Sequence, residues 1–330
     1  MKIQESLGID VSKGHLDAFL YQSKKHQRFT NNEQGFKQLL QWSTDQSNCP
    51  LDQLGICFEH TGLYSMGLAV FLNDQQIKFT LESALRIKRS LGLTRGKNDQ
   101  VDAQRIATYA WRRRAELVPT ILPAESLLEL RALLSQRRLL VKQRAAQKAA
   151  LKSDYSALRG GLRDMKKVQK QLIKQLDQHI GQLEQLIQNT IDQDEELGKL
   201  FRLVTSVVGI GPIVAANLLV VTDGFKRFAN GRQFACYAGL APFAQQSGTS
   251  LNSKSRVSHL ANKQMKALIN LAARSAIKAD PQLRAYYQTR VEKGKSKMAT
   301  LNIIRNKIVH RAFAVVKRGT PYVVLDKHLI

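Results

Sequence analysis

The sequence predicts an α/β domain followed by a long, mainly α-helical region. Three observations carry this. Over the first 120 residues, short apolar strand-like runs alternate with segments of helical spacing, the pattern of a sheet covered by helices. Pro119 and Pro123 then bracket a linker, and residues 124–200 are almost wholly helical in composition. Beyond residue 200, small-residue and basic amphipathic helices dominate. The expected division is 1–120, 121–200 and 201–330, in line with about 100–200 residues per domain.

In the first region, Ser6–Val11 reads as a strand, and Ser12-Lys13-Gly14 turns the chain into a second strand, His15–Tyr21. Phe36, Leu39 and Leu40 give Gly35–Trp42 helical spacing. Leu54–Phe58 has the continuous apolar character of a buried strand, Leu63–Leu72 is helical, Ile77–Leu81 is a strand, and Asp99–Trp111 is a helix with Val101, Ile106 and Ala110 as its apolar members. In the middle region only Gly160-Gly161 interrupts the helical composition, which predicts two arms joined at a bend. The second arm carries Ile173, Leu176, Ile180, Leu183 and Ile187, alternately three and four apart, the a/d rhythm of a coiled coil. The seam ends near Thr190 and Asp194, so it is short and serves either an internal helical hairpin or a dimerisation arm. In the last region Gly209-Ile210-Gly211 lies between two apolar helical segments, the shape of a helix-hairpin-helix, whose glycines let backbone N–H groups approach a DNA phosphate.

Charge narrows the class. The 330 residues hold 51 Lys and Arg against 26 Asp and Glu, a net charge of +25. Such a surplus repels itself unless a polyanion neutralises it, which points to nucleic acid; a basic, solvated face is the plainer alternative. From Gly224 to Ile330 there are 20 Lys and Arg and only three acids, Asp280, Glu292 and Asp326. No apolar run reaches the ~18 residues that span a bilayer. The start of the chain, with Gln4, Glu5 and Asp10, is not that of a secretory signal. Three scattered cysteines, Cys49, Cys57 and Cys236, argue against a disulfide framework or a cysteine zinc site and fit a reducing cytoplasm.

Four acids stand out. Asp10 and Glu59 end two apolar strands, where acids are rare unless paired or metal-bound. Asp99 and Asp102 are three apart at a helix start, so both face one way, although the helix dipole alone favours acids there. Together they suit a hard divalent cation, Mg2+ or Mn2+, rather than zinc, and two such ions can stabilise the attacking and leaving oxygens of phosphodiester cleavage. His60 adjoins Glu59 as an outer contact or simply a strand-end residue.

The segments Gly8-Ile9-Asp10-Val11-Ser12-Lys13, Glu59-His60-Thr61-Gly62, Lys97-Asn98-Asp99-Gln100-Val101-Asp102-Ala103 and Tyr237-Ala238-Gly239-Leu240-Ala241-Pro242, followed by Ser247-Gly248, resemble the DEDD transposases of bacterial insertion sequences. These are relatives of the pilin-gene inverting recombinase and include bridge-RNA-guided recombinases. The resemblance runs in order along nearly the whole chain. It implies a ribonuclease-H-like (RuvC-like) first domain whose metal ligands are Asp10, Glu59, Asp99 and Asp102, a coiled-coil middle, and a transposase domain supplying a serine nucleophile at Ser247. It also implies a covalent phosphoserine link, exchange of donor and target DNA strands, a structured guide (bridge) RNA, and a dimer assembling to a tetramer. Ser250, Ser253 and Ser255 lie close to Ser247, and read locally, Ser247 is an ordinary turn serine in a polar loop.

Other readings stay open on residues alone: a RuvC-like junction nuclease using water as nucleophile, and a non-catalytic nucleic-acid-binding protein. Candidate phosphate contacts are Arg112, Arg113 and Arg114, Lys166 and Lys167, and Lys293, Lys295 and Lys297, with Gly209 and Gly211. Tyr286 and Tyr287 are candidates for stacking on bases or for core packing. The helical segments Asn262–Ala279 and Leu301–Val316 present one apolar and one basic face.

Overall fold

In the computed structural model the described residues are 3–90, 98–152, 162–247 and 251–323; residues 63, 162–163, 243–247 and 251–256 are described by their backbone. The chain forms two compact units, Met1–Leu122 and Pro123–Ile330. Among the described residues, no helix is long and apolar enough to cross a membrane.

The first unit is built on a five-stranded sheet of order β3-β2-β1-β4-β5, comprising β1 Glu5–Val11, β2 His15–Leu20, β3 His26–Thr30, β4 Leu54–Glu59 and β5 Phe79–Glu82. The β1–β2 and β2–β3 pairs are antiparallel, and β1–β4 and β4–β5 are parallel. Alternation along β1 sends Leu7, Ile9 and Val11 to one face, where they meet Ile56, Phe58, Phe36, Leu39, Leu68 and Leu72 in the main core. That face is covered by α1 Glu33–Ser47 and α2 Leu63–Asp74. The opposite face is covered by α4 Asp99–Arg112, after a short α3 Ala84–Ser90. Predicted strands and helices all form, with ends displaced by a few residues. The sequence reading passed over β3, whose burial is confined to Phe29, and α3, whose buried residue is Ile87.

Gly8 explains how α4 seats on the sheet. A Cβ there would sit 2.1 Å from the Ala107 nitrogen and 2.5 Å from the Ala103 carbonyl oxygen. Only a glycine lets the helix backbone lie directly on β1. Ala103 and Ala107, both fully buried, complete that approach from the helix side.

The second unit begins with α5 Glu125–Leu151 and α6 Leu162–Gln193. They run antiparallel, since Arg137 pairs with Glu184 at 2.6 Å and Arg144 with Asp177 at 2.6 Å. Ile173, Leu176, Ile180 and Ile187 of the coiled-coil seam are buried and Leu183 is half-buried. The seam is thus buried within one chain, as an internal helical hairpin. Leu127, Leu130 and Leu134 of α5 with Ile187 and Ile191 of α6 join Leu197, Ala216, Leu219 and Val220 in one core, so the middle helices and those that follow pack as one body. Gly160-Gly161, the expected bend, lies outside the described residues.

Next come α7 Glu195–Thr205, α8 Pro212–Thr222, α9 Gly231–Tyr237, a strand pair of β6 Phe243–Ser247 and β7 Leu251–Arg256, then α10 Lys263–Ala279, α11 Pro281–Glu292 and α12 Lys297–Arg318. Their core gathers Val204, Ile210, Phe234, Leu240, Ile269, Ala276, Leu283, Ile304 and Ile308. Ser247, read from the sequence as part of an exposed turn, ends β6 opposite Leu251, and the connecting residues 248–250 lie outside the described residues.

Candidate active site

Asp10 lies on the same face of β1 as Gly8, and Glu59 on the same face of β4 as Cys57, which packs with Ile106, Tyr109 and Ala110 of α4. Ile9 pairs with Phe58, so the two acids end neighbouring parallel strands beneath the start of α4. There Asn98 caps the helix, accepting from the Gln100 N–H at 3.2 Å, and sets Asp99 and Asp102 in the first turn. The seating of α4 through Gly8 is what brings one acid pair to the other.

Electrostatics records the convergence. Burial, then the charges of Asp102, Asp99, Glu59 and Asp17, push the Asp10 carboxyl up to about 6. Burial and Asp102 raise Glu59 as well. Asp10 and Glu59 thus resist ionisation without a cation beside them, and the donors of the group are all carboxylate oxygens, so these residues fit a hard divalent cation. Among the described residues no three acidic, histidine or cysteine side chains are gathered closely enough to enclose an ion. Asp99 and Asp102 are instead held by arginines: Arg28 Nη2 donates to Asp99 Oδ2 at 3.1 Å, and Arg105 Nη1 to Asp102 Oδ1 at 2.7 Å.

Sequence reasoning missed Asp17 and Arg28. Asp17 faces Asp10 across the β1–β2 register and is almost wholly buried. His26 Nε2 lies 3.0 Å from it, and Arg28 Nε donates to both its oxygens at 3.1 Å. The available signal was an acid inside the strand Leu16-Asp17-Ala18-Phe19-Leu20, with two basic side chains at alternate positions 26 and 28.

The remaining candidates are distributed. Ser247 is the last residue of β6 in the second unit, and its side chain and Gly248 lie outside the described residues, as does Lys97. Gly209, at φ +97°, packs on α10, where a Cβ would sit 2.4 Å from the Ala272 carbonyl oxygen; packing therefore accounts for this glycine. Gly211 caps α8, exposed, with open space around it. Arg112, Arg113 and Arg114 are exposed at the end of α4; Arg114 lies over the Trp111 ring and Arg113 contacts Glu116 at 3.3 Å. Lys293 and Lys295, between α11 and α12, and Lys297, the first residue of α12, are exposed. Tyr286 and Tyr287 pack partly against the core, with Lys307 Nζ 4.9 Å from the Tyr286 ring centre.

An α/β unit carrying four acids on two neighbouring strands and one helix start, in a strongly basic chain, is consistent with a DEDD transposase. Residues 7–160 match the DEDD transposase family of IS110 elements, and residues 201–288 match the transposase family described as IS116/IS110/IS902. The chain is 30% identical over 327 residues to the pilin gene-inverting protein of Moraxella lacunata, covering 96% of this chain and 97% of that one. It is 29% identical to its Moraxella bovis counterpart over the same shares. A protein of insertion element IS110 from Streptomyces coelicolor is 33% identical over 127 residues, 38% of this chain and 31% of that one. The chain belongs to the IS110 family of transposases.

Proposed function

We propose that this transposase cuts and rejoins DNA strands at a metal centre held by Asp10, Glu59, Asp99 and Asp102, through a covalent link to Ser247. The observation that carries the reading is the placement of four carboxylates on two neighbouring strands and one helix start, where burial and then the charges of the other acids push Asp10 up to about 6. Transposases with this acid set typically use divalent metal ions; Mg2+, or Mn2+ in its place, would neutralise the cluster and stabilise charge on the phosphate oxygens. The sheet order and the helix over β1 support a ribonuclease-H-like, RuvC-like reading of the first unit, and α7 and α8 with the exposed Gly211 support a helix-hairpin-helix.

In the proposed reaction the Ser247 hydroxyl gives up its proton and its oxygen bonds to phosphorus. The bond from phosphorus to a sugar oxygen breaks, and that oxygen leaves with a proton. One phosphodiester is exchanged for one phosphoserine ester, and attack by a sugar hydroxyl of another strand reverses the exchange and joins DNA to DNA. Because the phosphoester count is conserved, no external energy source is required. The basic surfaces at Arg112–Arg114 and Lys293–Lys297 would hold donor and target DNA and a guide RNA, and a dimer assembling to a tetramer would bring two duplexes together.

The test is covalent trapping. Protein, Mg2+, the element's RNA and end-labelled junction DNA are run on a denaturing gel, comparing wild type with Ser247→Ala and Asp10→Ala. An adduct lost in both variants is expected. Cleavage without an adduct, kept in Ser247→Ala and lost in Asp10→Ala, would replace this reading with hydrolysis by water.

A further inference from the structure

Arg305, in the middle of α12, is 5% exposed. Its guanidinium meets two neutral amide oxygens: Asn270 Oδ1, at 3.2 Å from Nε and 2.5 Å from Nη2, and Asn302 Oδ1, at 3.5 Å from Nη1. Among the described residues no carboxylate pairs with it. Arg311, on the same helix, shows the usual solution, donating to the buried Asp280 at 3.0 Å. A buried cation without a counter-ion is strongly unfavourable, and burial accordingly pushes the Arg305 guanidinium below its ordinary range.

The surrounding chain is poorly equipped to supply the missing anion. Of the three acids between Gly224 and Ile330, Asp280 is committed to Arg311 and to capping α11, Glu292 is exposed at the end of α11, and Asp326 lies outside the described residues. The neighbours of Arg305 show what its position serves. Asn302 and Asn306, on the same helix, both donate to the Leu240 carbonyl, at 2.7 and 3.3 Å. Leu240 leads through Ala241 and Pro242 into β6, whose last residue is Ser247. The network that contains the lone guanidinium therefore also anchors the root of the β6–β7 strand pair.

We propose that Arg305, with Asn270 and Asn302, is a phosphate-binding site at the root of that strand pair, and that its anion is a backbone phosphate of the DNA strand undergoing exchange. A planar guanidinium can engage two phosphate oxygens at once, and its present partners are neutral acceptors that a charged oxygen outcompetes. Both asparagines are half-buried, so the phosphate reaches Arg305 by displacing an amide. DNA is chosen over RNA because the same strand pair carries the proposed nucleophile. The inference rests on the reading that this chain binds DNA and, for the choice of DNA over RNA, on Ser247 as the nucleophile; it is independent of the metal.

The experiment compares full-length wild type with Arg305→Met and, as a second variant that keeps a polar contact to the asparagines, Arg305→Gln. Two quantities are read: the Tm of the free protein, and the affinity for a labelled 30-base-pair DNA duplex and a 30-nucleotide RNA across a salt series. The expected result is a Tm equal to or above wild type, because an unpaired buried charge has gone. Affinity for DNA falls about tenfold, and the slope of log affinity against log salt becomes shallower by about 0.9, one phosphate contact. A lowered Tm with unchanged DNA affinity and slope in the variants that fold makes Arg305 a packing residue and overturns the proposal. A loss confined to RNA overturns the assignment to DNA. No binding of either nucleic acid by wild type removes the DNA-binding reading itself and this proposal with it.

Discussion

Arg28 Nη2 stands 3.1 Å from Asp99 Oδ2 while Nε of the same guanidinium holds both oxygens of Asp17 at 3.1 Å. The two carboxylates differ in freedom: the Asp17 side chain is 4% exposed and that of Asp99 is 62% exposed. Arg28 is thus tied to the buried acid and reaches out to the exposed one. An exposed ion pair adds little stability, so its effect falls on where Asp99 points.

Arg28→Lys keeps a positive charge for Asp17 but lacks the fork that bridges two carboxylates. The variant is expected to free Asp99 and to bind Mn2+ several-fold more tightly in a calorimetric titration. In an Asp99→Asn background the same change should have no effect. Mn2+ affinity that is unchanged or weaker in Arg28→Lys would show that Arg28 does not compete for Asp99.

The raised Asp10 carboxyl has a signed consequence for stability. Its folded value of about 6 lies above the ordinary value of 3.8, so between these the folded protein holds the proton more tightly. The resulting stabilisation is complete below pH of about 4 and is lost as pH rises through about 6. Asp10→Asn should therefore raise stability at pH 8 by about 1 kcal/mol, after allowance for solvent screening of this half-buried group, and change little at pH 4. Urea unfolding at the two pH values measures the difference. Mg2+ should stabilise wild type more at pH 8 than at pH 5, and a chelator should remove that gain.

Gly8→Ala would place a methyl group against the backbone of α4. The expected cost is about 3 kcal/mol or loss of folding of the first unit, with loss of Mn2+ binding, since α4 carries Asp99 and Asp102. Gly14→Ala, with open space around it, is the neutral control. Equal Tm values for the two variants would contradict the close seating of α4.

Tyr109 donates to the buried Glu82 at 2.7 Å, and Ser83 N–H and Arg86 donate to the same carboxylate. Despite burial, these bonds together hold Glu82 below the usual carboxylate range. Tyr109→Phe should cost about 1–2 kcal/mol at pH 7. Because a lowered carboxyl stabilises above its unfolded value and loses this as pH falls through its folded one, the difference between wild type and variant should shrink in acid. A cost that is independent of pH would assign the effect to packing.

Much of this protein is legible in its sequence because the signals are local. Apolar runs around Ile9 and Phe58 specify strands, the Asn98-Asp99 step specifies a helix start, Asp10 and Glu59 announce themselves as acids where acids are uncommon, and the three-residue spacing of Asp99 and Asp102 sets both on one side of that helix. The a/d spacing from Ile173 to Ile187 specifies a buried seam but not its partner, since periodicity marks a face and never says what covers it. Only the tertiary structure turns that seam inward, through pairs 33 and 47 residues apart, Arg144 with Asp177 and Arg137 with Glu184. Only the structure sets Asp17 beside Asp10, joins Arg28 to Asp99 over 71 residues, packs Gly209 on Ala272, and, among the described residues, leaves Arg305 without a carboxylate. Strand register and helix seating decide which remote charges meet, and these depend on the whole packed chain, whereas residue type and spacing are properties of each segment alone.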